Sequence, residues 1–151
     1  QNGIRGVLDK NQEVQTKHLY TMLDQQQKIL GILSTLHDKK LTLRIDLEKI
    51  KELFSTVDNA VNEHIKKIEE INVLITQTTG KKQEQYIKYK HQTYMKLTQL
   101  YTKKEEIAHA IVDNRKYEHH LSLNIDRILF DNNVMLDKIF KNVSQLLVLD
   151  Q

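Results

Sequence analysis

The 151-residue chain has no cysteine, no proline and only four glycines. The lack of cysteine excludes disulfides and thiolate chemistry, a usage that fits an intracellular, reducing compartment, cytoplasmic or nuclear. The lack of proline means that nothing interrupts the helical hydrogen-bond ladder, so very long helices are permitted. Scarce glycine leaves no phosphate-cradling loop, and no nucleophile elbow is present either. The sequence therefore reads as a non-enzyme with no cofactor and no catalytic residues. No run of about 18 apolar residues occurs, so no segment reads as membrane-spanning. The first residue is Gln1 rather than Met, which reads as a fragment of a longer protein.

What the chain does have is charge and helical periodicity. Charged residues make up 28% and hydrophobic ones 39%, a balance that suits extended helices better than a compact globule. With Leu19 as position a, the a series runs Leu19, Gln26, Leu33, Lys40, Leu47, Phe54, Val61, Ile68, Ile75. The d series runs Met22, Ile29, Leu36, Leu43, Ile50, Val57, His64, Ile71. Fourteen of these seventeen positions are apolar, with no slip. Such a repeat keeps one stripe on one side of a helix.

A second register follows Gly80, with Leu97, Ile111, Ile125, Ile139 and Leu146 at a, and Leu100, Ile107, Leu121, Ile128 and Met135 at d. It stands one residue out of phase with the first, an offset that a continuous coil does not absorb. Thr78-Thr79-Gly80 supplies poor helix formers followed by a residue suited to a left-handed stop. These features predict an all-α fold, a long antiparallel helical hairpin or coiled coil that forms an extended bundle by association. The expected bounds are one helix over about 5–77, a turn at about 77–82 and a helix over about 83–148. Polar residues thin the stripe near 113–122, which leaves open either one helix there or a further break.

Both stripes are wider than one neighbour covers. Leu23, Leu30 and Ile65 lie at e and Ile32, Leu53, Ala60 and Leu74 at g on the first helix; Ile87, Tyr94, Tyr101, Leu129, Leu136 and Val143 lie at e on the second. That width calls for three or more helices, supplied by helical protein partners in a homo- or hetero-oligomer. The expected role is structural, an assembly module within a larger multi-protein complex. Its seam residues are Leu33, Leu36, Leu47, Ile50, Phe54 and Val57, with Leu97, Leu100, Ile107, Ile111, Ile125 and Ile128 on the second helix. Gln26, Lys40 and His64 interrupt the first stripe and read as polar layers that set register.

Residues 80–104 hold seven lysines against one glutamate, a local charge of +6 in a chain of net +3. Lys81, Lys82, Lys88, Lys90, Lys96, Lys103 and Lys104 form this basic patch. A solvated helix flank is the first reading and an acidic partner protein the second. The rival function is a peripheral binder of anionic surfaces, with 81–104 facing membrane or nucleic acid. It is disfavoured because the stretch lacks arginine and its apolar faces are committed to other helices. Glu106 and His109 have a metal-ligand spacing, and Glu118-His119-His120 is charge-dense. Neither finds the second pair that a di-metal bundle needs, so no metal site is expected.

Overall fold

A computed structural model describes residues 2–149. Helix α1 spans Asn2–Gln77 and helix α2 spans Gly80–Leu149. The two pack against each other as an all-α hairpin. Among the described residues there is no strand.

The reversal falls where the phase offset places it but is shorter than expected, with only Thr78 and Thr79 between the helices. Side chains supply the partners that the last carbonyls of α1 lack. Thr78 Oγ1 donates to the Leu74 carbonyl at 2.8 Å, and Gln83 Nε2 reaches back to the Ile75 carbonyl at 3.0 Å. Gly80 turns the chain at φ +65°, a backbone region costly for residues with a Cβ. With these groups satisfied no longer loop is needed, and α2 starts at Gly80 rather than near 83. Lys81 and Lys82 lie in its first turn, exposed to water that screens their clash with the helix dipole.

The further break left open near 113–122 does not occur; α2 passes through this stretch unbroken. Asn114 shows why a polar residue in the stripe need not end the helix. Its Nδ2 donates to the Leu43 carbonyl on α1 at 3.2 Å, so an amide takes the place of an apolar layer. Threonines are accommodated similarly, as Thr35, Thr56 and Thr98 donate their hydroxyls to carbonyls one turn back.

The chain divides into two compact units: a central unit, Leu43–Tyr117, and a terminal unit, Gln1–Thr42 with Glu118–Gln151. In the central unit Val61, Ile68 and Leu97 form a buried cluster, with Ile65 and Leu100 packed against it. In the terminal unit Met22, Leu33, Leu121 and Ile125 are buried. Within each unit burial follows the heptads: every a and d residue from Leu19 to Ile75 and from Gln83 to Leu146 is buried or half-buried. Burying a leucine or isoleucine fully contributes about 1.5–3 kcal/mol, so these stripes are the main favourable term holding the helices together.

Candidate functional site

The twelve seam residues are consumed by the hairpin itself. Leu33, Val57, Leu97 and Ile125 are buried; Leu36, Leu47, Ile50, Phe54, Leu100, Ile107, Ile111 and Ile128 are half-buried. Any surface offered to another chain must therefore lie beside the a/d stripes.

The polar positions find distinct solutions. Gln26 Nε2 donates to Asn132 Oδ1 at 2.5 Å, a cross-helix pair within the terminal unit. His64 Nδ1 stands 2.7 Å from the Ala60 carbonyl, so that nitrogen carries the proton and donates. Lys40 is half-buried. The seam also contains Thr93, buried at 4% exposure with its hydroxyl donated to the Tyr89 carbonyl at 2.9 Å. Its d position in the second register is the signal that marks it. Gln15 Oε1 and Asn142 Oδ1, both in the terminal unit, are buried without a hydrogen-bond partner.

The seven patch lysines, all in the central unit, separate into three environments. Lys104 turns inward, its Nζ 2.7 Å from Asp58 Oδ1 and 5.6 Å from the Phe54 ring centre. Lys90 is half-buried, with its ammonium 5.9 Å from the Tyr94 ring centre. Lys81, Lys82, Lys88, Lys96 and Lys103 are exposed. Lys81 and Lys88 occupy f positions, pointing away from α1, whereas Lys82, Lys96 and Lys103 occupy g, beside the seam.

The most coherent surface is apolar and belongs to the terminal unit. In an antiparallel pair the e positions of both helices flank the seam on one side, and b positions extend that side outward. On α1 this stripe reads Thr16, Tyr20, Leu23, Gln27, Leu30, Ser34. On α2 it reads Leu129, Asn133, Leu136, Phe140, Val143, Leu147. None of these twelve is charged, although the same columns carry exposed Asp9 and Glu13 before Thr16 on α1 and Asp126 before Leu129 on α2. All but half-buried Thr16 are exposed, Tyr20 to 68% and Phe140 to 74%. Eight of the twelve are apolar or aromatic, and they stand beside a seam that is already filled.

The histidine pairs are dispersed. Glu106 and His109 are exposed, and the His119 and His120 rings lie 6.3 Å apart at 55°. Among the described residues no group of three metal-binding side chains stands together, and no helix is long and apolar enough to cross a membrane. Compared with known proteins, the chain matches no family model, no curated protein and no solved structure.

Proposed function

We propose that the chain is an association module, a structural part of a larger assembly, whose terminal unit docks a helical partner on the uncharged stretch of its e/b face. The observation that carries this reading is the exposure of Leu23, Leu30, Leu129 and Leu136 beside a seam that is already filled. Two helices give each other one neighbour, which covers an a/d stripe and little more. The simplest occupant is the same face of a second copy. With no charge at e or b between Thr16 and Ser34 on α1 or between Leu129 and Leu147 on α2, two such stretches meet with little repulsion, and together they make a bundle of four helices that behaves as a coiled-coil assembly. Each leucine covered adds on the order of 1 kcal/mol.

The test is light scattering over a concentration series for the intact chain, the double variant Leu30→Glu/Leu129→Glu, and Lys88→Glu. The intact chain and Lys88→Glu associate, while the double variant stays a folded monomer, because each buried carboxylate would cost several kcal/mol. Equal association by all three proteins would overturn the reading.

A further inference from the structure

A second surface lies on the central unit, with chemistry unlike the uncharged face. On the g side of the seam, His64, Lys96, Gln99, Leu100 and Lys103 line an open groove of about 350 Å³. Ala60 occupies g on α1, on the same side of the seam and one turn before His64. Leu100 is half-buried and supplies an apolar floor, and the half-buried His64 ring forms a wall, tethered through Nδ1 to the Ala60 carbonyl.

Lys96 and Lys103 bring positive charge to the groove, seven residues apart in the g column of α2, and Lys82 lies in the same column 14 residues before Lys96. All three are exposed, and none is paired with a carboxylate among the described residues. The neighbouring c column on α2 offers neutral Gln85, Gln92 and Gln99, then exposed Glu106, which forms no ion pair with Lys103. Glu63 and Glu70 stand at c on α1 without forming an ion pair with these lysines. By contrast Lys104, one residue from Lys103, is neutralised by Asp58.

We propose that this groove seats an amphipathic helix of a partner protein, with carboxylates seven residues apart meeting Lys96 and Lys103 and an apolar side chain resting on Leu100. Seven residues is two turns, about 10.5 Å of rise, so the ladder on one helix matches a ladder on the other. Charge complementarity in flanking positions chooses the partner and its register more than it supplies affinity. A membrane fits less well, since the apolar floor is recessed below the lysines and cannot insert. Nucleic acid fits less well because the column holds no arginine fork for phosphates or bases.

This proposal does not rest on the terminal unit's association face, and its test separates the two. A fluorescent helical peptide with glutamates at seven-residue spacing and leucines between them is titrated against the full chain by anisotropy, at low and high salt. The same titration uses Lys96→Gln/Lys103→Gln and, as a charge-matched control, Lys81→Gln/Lys88→Gln. Circular dichroism and light scattering check that fold and self-association are unchanged in both. The g-column variant weakens binding about tenfold and the control less than about twofold, with salt weakening the intact chain most. Ala60→Leu, which adds bulk next to the His64 wall and leaves every charge in place, weakens binding as well. Equal losses in the two charge variants, no binding by the peptide, or binding only to anionic vesicles or duplex RNA in its place, would each overturn the proposal.

Discussion

At the level of single residues, the seam holds polar groups both with and without a partner, and Asn132 and Asn142 show the two cases. Both are buried in the terminal unit. Asn132 accepts from Gln26, whereas the Asn142 oxygen is unpartnered. Replacing a paired group leaves its partner stranded, while replacing an unpaired one removes a desolvation cost. Asn132→Leu is therefore expected to lower stability by about 1–2 kcal/mol and Asn142→Leu to raise it by about 1 kcal/mol, measured by urea unfolding. Changes of the same sign would contradict this account. Gln26→Leu combined with Asn132→Leu should recover most of the loss, since neither group is then stranded. The interruptions themselves were legible in the sequence as polar residues at a and d. Their pairings were not, because the heptad pattern says which residues enter the seam and nothing about the side-chain torsions that bring two amides within reach.

At the level of elements, two glycines test the backbone argument with opposite signs. Gly80 sits at φ +65° with open space where a Cβ would stand, so Gly80→Ala meets only backbone strain and is expected to lose about 1 kcal/mol. Gly31 lies inside α1, also with open space, and Gly31→Ala is expected to gain about 0.5–1 kcal/mol from helix propensity. Thermal unfolding midpoints moving in opposite directions would support the pair; a loss at both positions would contradict it. The reversal was legible because a one-residue phase offset has few physical causes. Its brevity was not, since it depends on Gln83 folding back onto the Ile75 carbonyl. The unbroken course of α2 through 113–122 was hidden for a related reason: a polar residue at d reads as a weak layer until its partner, here the Leu43 carbonyl, is known.

At the level of the whole molecule, the two units divide the surface chemistry. The excess positive charge lies in the central unit and the exposed stripe of Tyr20, Leu23, Leu30, Leu129, Leu136 and Phe140 in the terminal one. The sequence displayed stripes wider than an a/d seam alone. It did not separate the residues spent on the intramolecular seam from those left for a partner, because that division appears only once burial is known. The central claim is that the face formed by e and b positions of the terminal unit is covered by a second copy. Because the natural chain has no cysteine, a single thiol can report on that face. Asn133→Cys places it inside the stripe without removing an apolar group, and Lys88→Cys places one on an outward f position. The measurement is the thiol labelling rate over a concentration series. The account predicts that labelling at position 133 slows as association proceeds while labelling at 88 does not change; a rate at 133 independent of concentration, in a chain that associates, would contradict it.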